Sequence, residues 1–426
     1  MKYFKVTFST VLLICAGLMT SCGGNDNKND PPPKRVSASE FIIYPWDEMY
    51  ANPAVGEYDG FTDMDALMRD MYDCGFNSSG FIDFRNLKYV RKNHLVGILA
   101  AGIDATKETT QEKADESIKK LMESITDPQD RKAVFAVYIR DEPKASLFPQ
   151  LNIWSEAVRK QNVLPYINLF PDYANPEQLG SKDYEDHLSQ YVNICKPSYI
   201  SYDNYSVYEG GRLDEDRFYG NMELIRNHSL QTDIPFWNII SSDAFYNFAE
   251  PSDASLAVQV YSTLAYGGKG IGYFTYHTRP VVNCRLAPID EFGYRTKTWE
   301  MLRHINLQIH TLAPVYVNLK SVNVFHTVSV PRNGKGINSA KLVEAISGGS
   351  VHPDKDASLL VGEFTDTEGK PYIMVVNKSL HSSVWVNVQF RKKGRIMVVS
   401  QFQQGKRYGG DDIWLAPGCG HLLTVE

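Results

Sequence analysis

The chain has 426 residues, 43% hydrophobic, 12% aromatic and 22% charged, with a formal net charge of -6. This is the composition of a globular protein with a sizeable core, and it excludes a disordered or collagenous chain. With a sequence pI near 6.0 there is no global basic field, so nucleic acid is not an expected partner.

Lys2 and Lys5 give a short positive start, and residues 6–19 are mostly apolar, interrupted by Thr7, Ser9, Thr10 and Gly17. That is shorter than the ~20 apolar residues of a membrane span and has the layout of a secretory signal. Residues 1–22 are therefore expected to be a signal peptide. Leu18-Met19-Thr20-Ser21-Cys22-Gly23-Gly24 resembles the lipobox of bacterial lipoproteins. The resemblance implies lipidation at Cys22, export, and anchoring to the bacterial outer membrane at the cell surface or its periplasmic face. Membrane contact would be through that lipid only. Residues 23–37 carry almost no apolar side chains and include Pro31-Pro32-Pro33. Such a segment cannot offset its chain entropy by burial, and it reads as a tether.

From residue 40 to about 312 the chain alternates strand-like and helix-like stretches. Eight strands are predicted at 41–46, 77–82, 95–100, 134–139, 164–169, 199–202, 235–240 and 270–274. Amphipathic helices are predicted at 64–74, 114–125, 151–161, 184–195, 216–228 and 255–266. A further helix from Trp299 is expected to end before Pro314. Eight β-then-α units argue for a (β/α)8 TIM barrel over 38–313. A doubly wound sheet is the main alternative, but no glycine-rich phosphate loop follows the first strand. After 314 the segments become short, β-branched and punctuated by turns, which predicts a C-terminal antiparallel β-sandwich over 314–426. It would brace the barrel or bind glycan, with Trp385 and Trp414 as candidate platforms; bracing is the favoured role.

Cys74, Cys195, Cys284 and Cys419 are scattered without a CxxC pair. Buried free thiols are expected, with neither a zinc site nor a disulfide. No HExxH or similar cluster appears, so no metal or cofactor is expected. The absence of a GxSxG elbow counts against an esterase of that type.

In a TIM barrel the site lies at the C-terminal strand ends. Those ends carry Trp46-Asp47-Glu48, Asp83, Asp104, Arg140-Asp141-Glu142-Pro143, Asn168, Tyr202-Asp203-Asn204-Tyr205, Asp243, and Thr275-Tyr276-His277. Carboxylates recurring over several ends, with aromatic residues beside them, suit carbohydrate chemistry. Trp46, Asn168, Tyr205, Trp237, Tyr276 and His277, with Tyr44, are candidate sugar contacts, each equally open to a packing role. Arg279 and Arg285 could meet an acidic sugar or pair with Asp290 or Glu291.

Tyr138-Ile139-Arg140-Asp141-Glu142-Pro143 resembles the Asn-Glu-Pro motif that ends strand four in the large retaining glycosidase clan of TIM barrels. Asp141 stands where the clan has Asn. Together with 165–171, 202–205 and 265–276, the motif is similar to a group of glycoside hydrolase lipoproteins of polysaccharide-degrading bacteria. The resemblance covers most of 40–312. It implies that Glu142 is the general acid/base and that Asp141 lies in the position that binds substrate. Alternation along a strand would point Asp141 away from Glu142, so these two are not expected to form the catalytic pair. The clan's nucleophilic Glu on strand seven has no counterpart in Phe236-Trp237-Asn238-Ile239-Ile240-Ser241. Glu250 lies several residues later, and Asp203 is the better-placed second carboxylate, for catalysis or for binding only.

A glycoside hydrolase acting on a poly- or oligosaccharide is therefore expected. A non-catalytic surface glycan-binding protein on the same barrel is the alternative, and a lyase or deacetylase the third reading.

Overall fold

A computed structural model describes residues 41–49, 64–350, 357–410 and 412–426. The expected signal peptide, Cys22 and the tether lie outside the described residues.

Eight parallel strands form one sheet: β1 Ile42–Pro45, β2 Ser78–Ile82, β3 Val96–Ala100, β4 Val134–Asp141, β5 Leu164–Leu169, β6 Ile200–Asp203, β7 Phe236–Ser241 and β8 Gly270–Phe274. Their order is β1-β8-β7-β6-β5-β4-β3-β2. The last seam, between β1 and β2, is sewn partly by a side chain. Asn77 accepts from Ile43 N at 2.8 Å and donates to Phe41 O at 2.8 Å. Nearer the mouth, Phe81 N donates to Asp47 O at 2.7 Å and Met49 N to Phe81 O at 2.8 Å. Gly80 makes this approach possible, because a Cβ there would sit 2.3 Å from Asp47 O.

A helix follows each strand: α1 Met64–Asp73, α2 Leu87–Lys92, α3 Gln111–Ser124, α4 Phe148–Arg159, α5 Tyr184–Cys195, α6 Glu215–Thr232, α7 Asp253–Tyr266 and α8 Lys297–Tyr316. This is the expected TIM barrel. The outer helices are amphipathic for the usual reason: α3 buries Ala114, Ile118 and Met122, each one turn apart. Helix α7 differs in that nearly every residue is buried. It begins at a Ser252/Ser255 capping box and ends at Gly267 in the left-handed region. Pro314 does not end α8; it sits inside the last turn. Proline costs that turn one N–H donor. Tyr316 anchors it, its phenol reaching the carbonyls of Leu264 at 2.7 Å and Gly268 at 2.9 Å. Lys269 caps the carbonyls of Tyr316, Val317 and Leu319 at the helix end.

Beyond α8 come β9 Lys320–His326, β10 Val343–Ser350, β11 Leu359–Thr365, β12 Pro371–Asn377, β13 Val384–Phe390, β14 Ile396–Val399, β15 Lys406–Tyr408, β16 Ile413–Leu415 and β17 Gly420–Val425. They form a six-stranded sheet, β9-β11-β12-β17-β14-β15, facing a three-stranded one, β10-β13-β16. Strands β11 and β12 are apolar at nearly every position because both of their faces are covered. Leu359, Val361, Ile373 and Val375 pack into the sandwich. Leu360, Phe364, Met374 and Val376 pack into the barrel core. The sheet lies so close to α7 that a Cβ on Gly362 would meet Ala265 O at 1.9 Å. Gly362→Ala is therefore expected to cost roughly 1–3 kcal/mol by overpacking, read as a lower urea midpoint with an unchanged slope. Among the described residues no helix is long and apolar enough to cross a membrane. Cys74 and Cys195 are buried free thiols, and Cys284 and Cys419 are free and half-buried.

Candidate active site

At the C-terminal mouth of the barrel a cleft of about 160 Å³ is lined by Trp46, Asp141, Glu142, Asn168, Asp203, Tyr205, Ile239 and Phe274. Six of these were singled out from sequence; Ile239 and Phe274 were not. Both sit on the inward parity near the ends of β7 and β8, but neither side chain is polar, so nothing in the sequence marks them as site residues.

Asp141 is brought in by an irregularity. The β4–β5 register slips between Tyr138 and Arg140, so that Asp141 falls opposite Asn168. The bulge shifts Asp141 into phase with the inward set, which corrects the expectation that it points away from Glu142. The strand ends there: Glu142 has φ +41° and donates its N–H to Asn168 O at 2.9 Å. Non-glycine residues at positive φ are uncommon and concentrate at functional sites. This turn returns Glu142 to the same cleft.

Asn168 ties the acids together. Its Nδ2 donates to Asp203 Oδ1 at 2.9 Å and to Asp141 Oδ1 at 3.1 Å. Its Oδ1 accepts from the Ser201 hydroxyl at 2.9 Å, which fixes the amide with its NH2 toward the carboxylates. Ser201 in turn lies 3.3 Å from the Tyr166 hydroxyl, and Tyr166 lies 2.8 Å from that of Tyr44. Tyr44 is thus a buried support rather than a wall of the cleft.

Burial raises the pKa of all three carboxyls. Glu142 is pushed up to about 7, by burial first and then by the Asp141 charge. Asp141 is pushed up to about 6 by burial, against the pull of Asn168 and of the Arg140 and Arg279 charges. Asp203 is raised well above the carboxylate range by burial, then by the charges of Glu142 and Asp141. Such a cluster keeps at least one proton at neutral pH. It can offer a proton donor and a carboxylate side by side.

The rim is aromatic and cationic. Arg279 lies 5.7 Å over the Trp46 ring and 4.9 Å over Phe274, and pairs with Asp47 at 3.3 Å. Arg217 stacks 3.3 Å from the Tyr173 ring, and the Asp203 charge helps to raise the Tyr173 phenol to about 12, after burial.

Besides Tyr44, three sequence candidates stand elsewhere. Trp237 faces the barrel interior but lies two residues before Ile239, about 6–7 Å deeper. There it stacks on Tyr199 with centroids 3.7 Å apart. Tyr276 is 0% exposed, and its hydroxyl bonds Asp70 on α1, which also accepts from Trp299 Nε1 at 2.9 Å. His277 does not line the cleft; its backbone N–H donates to Asp47 Oδ2 at 3.2 Å. Glu250 joins a different and wider cleft of about 430 Å³, lined also by Glu209, Arg285 and His381. There Arg285 pairs with Glu250 at 3.1 Å and with Glu209 at 3.6 Å. Both of its acids are already paired with a cation, so the smaller cleft, where three acids converge, is the better candidate. Among the described residues no His/Cys/Asp/Glu group has the geometry to hold a metal.

No family model and no curated protein sequence matches the chain. Solved structures do share its fold. A protein described as a glycoside hydrolase superposes with a TM-score of 0.55 at 10% identity, over 90% of this chain and 92% of that one. A glycoside hydrolase family 5 protein from Bacteroides vulgatus ATCC 8482 gives 0.52 at 9% identity, over 90% and 89%. A beta-galactosidase from the psychrophilic Marinomonas ef1 gives 0.47 at 8% identity, over 67% of this chain and 63% of that one. At their identities the first two show a likeness of fold alone.

Proposed function

We propose that this chain is a glycoside hydrolase that cleaves O-glycosidic bonds of a poly- or oligosaccharide. The observation that carries the reading is the acid cluster of half-buried Asp141 and Glu142 with buried Asp203, in an aromatic-walled cleft at the barrel mouth. Glycoside hydrolysis needs a carboxylic acid to protonate the leaving oxygen and a carboxylate to attack the anomeric carbon or activate water. An acid that keeps its proton near neutral pH needs a raised pKa, and Glu142 has one of about 7. Glu142 and Asp203 share protons as one interacting pair; in this reading, with one proton between them, Glu142 is the general acid/base and Asp203 the second carboxylate. Asn168 orients Asp203 and Asp141, and Trp46, Tyr205 and Phe274 give the sugar apolar surfaces to stack on. That two of the solved structures sharing the fold are glycoside hydrolases is in keeping with this.

The test is reducing-end release by the wild-type protein across a panel of plant, algal and host glycans. Release from at least one is expected. Glycan binding without release would favour the non-catalytic binding protein instead, and silence on both counts would sink the carbohydrate reading.

We also propose that Cys22 carries lipid and holds the barrel beside the outer membrane, on the strength of the lipobox resemblance and the tether composition. Labelled palmitate is expected to enter the wild-type protein expressed in a bacterial host and to be absent from Cys22→Ser. Equal labelling of the two would overturn the anchor.

A further inference from the structure

The three-stranded sheet turns one face into the sandwich and the other outward. Along β13, Val384, Val386, Val388 and Phe390 are buried, while Trp385 and Asn387 are half-buried and Gln389 is exposed. The ladders place Gly349, Ser347 and Ala345 of β10 opposite Trp385, Asn387 and Gln389, and Trp414 of β16 opposite Trp385 on the other side. A single row thus runs Gly349, Trp385, Trp414 across all three strands. A Cβ on Gly349 would lie 2.9 to 3.2 Å from Nε1, Cε2 and Cζ2 of Trp385. The missing side chain therefore lets that indole lie across β10. Trp414 beside it is 55% exposed.

We propose that this outer face is a second, non-catalytic carbohydrate site that takes a polysaccharide chain by stacking sugar rings on Trp385 and Trp414. The chemistry on the face selects this occupant. Two neighbouring indoles offer apolar surface to the C–H faces of pyranose rings. Ser347 and Gln389, on the same face, are uncharged hydrogen-bonding groups suited to ring hydroxyls. A protein-binding patch would surround the indoles with aliphatic side chains, and an anionic membrane would call for Lys or Arg. Among the paired positions on this face only Ala345 is aliphatic, and none is Lys or Arg. The six-stranded sheet lies between this face and α7, so the site is separate from the barrel cleft. The sandwich then has two faces with two jobs: the six-stranded sheet braces α7, and the three-stranded sheet holds polymer.

Affinity electrophoresis of the full chain through gels containing hydroxyethylcellulose, xyloglucan, galactomannan or pectin tests this. Retardation in at least one gel is expected, with Trp414→Ala and Trp385→Ala each weakening it by about tenfold. Trp414 is mostly in solvent, so its truncation is expected to leave the unfolding midpoint unchanged. Turnover of a short soluble oligosaccharide is also expected to be unchanged in Trp414→Ala. No retardation in any gel, or retardation equal in wild type and both variants, overturns the proposal. Tryptophan-dependent retardation by a protein that releases no sugar would instead sink the hydrolase reading and leave this site standing.

Discussion

Glu142→Gln is expected to lower kcat on a natural glycan by about 10²–10⁴, the usual worth of a positioned general acid. The change is nearly isosteric at a half-buried position, so folding and ground-state binding should survive and KM should move little. The signature is in the pH profile. In the wild type, kcat/KM is expected to fall as pH rises through about 7, where Glu142 gives up its proton. In Glu142→Gln that alkaline limb should vanish, because the side chain no longer titrates. Aryl glycosides with good leaving groups need less protonation and should lose less rate than natural linkages. If instead the variant keeps wild-type turnover, the acid is another member of the cluster. Asp141, held at about 6 and on the same Asn168 amide as Asp203, would be the next to replace.

The alternating pattern made the barrel legible. Its strands are buried on both faces and most of its helices on one, and that contrast in period survives in a single sequence. The edges of elements were less legible because they depend on partners remote in the chain. Pro314 reads as a stop, yet it sits inside the last turn, which Tyr316 and Lys269 hold. At the site, strand parity told which residues face inward but not how deep they lie. Trp237 has the parity of Ile239 and still forms floor, because the next layer up is the cleft. Tyr276 sits past the end of β8, where parity no longer applies, and a buried phenol went to the acceptor it needed, Asp70. Asp141 was misplaced for the opposite reason. A bulge in β4 adds one residue to the count, and nothing in Tyr138-Ile139-Arg140 announces it, since a bulge is a property of the pair of strands. The glycines were equally silent: Gly80 and Gly362 are explained by carbonyls of Asp47 and Ala265 that only the fold brings near.

Asp203→Asn is expected to cut activity by about 10³ or more while making the protein more stable at neutral pH. The sign follows from the carboxyl's two environments. Its folded pKa lies well above the unfolded value, through burial and the charges of Glu142 and Asp141. The folded protein therefore binds this proton more tightly than the unfolded chain does. Below the unfolded pKa both states are neutral and the group costs nothing. As pH rises past it the unfolded chain ionises freely, the folded one resists, and stability falls until the folded pKa is passed. A neutral amide removes that penalty and can still accept from Asn168. The gain at pH 7 should be on the order of 1–3 kcal/mol, shrinking toward zero near pH 4, as read by urea unfolding at the two pH values. Asp70 supplies the contrast. It too is buried, but it is matched by Arg295 at 2.5 Å, Trp299 Nε1 and the Tyr276 hydroxyl, so Asp70→Asn breaks a satisfied cluster and should destabilise at neutral pH. A carboxylate kept for structure loses stability when neutralised. A carboxylate kept for chemistry returns stability and loses turnover, and Asp203 is expected to behave as the second kind. Equal destabilisation of the two variants would assign Asp203 to the scaffold.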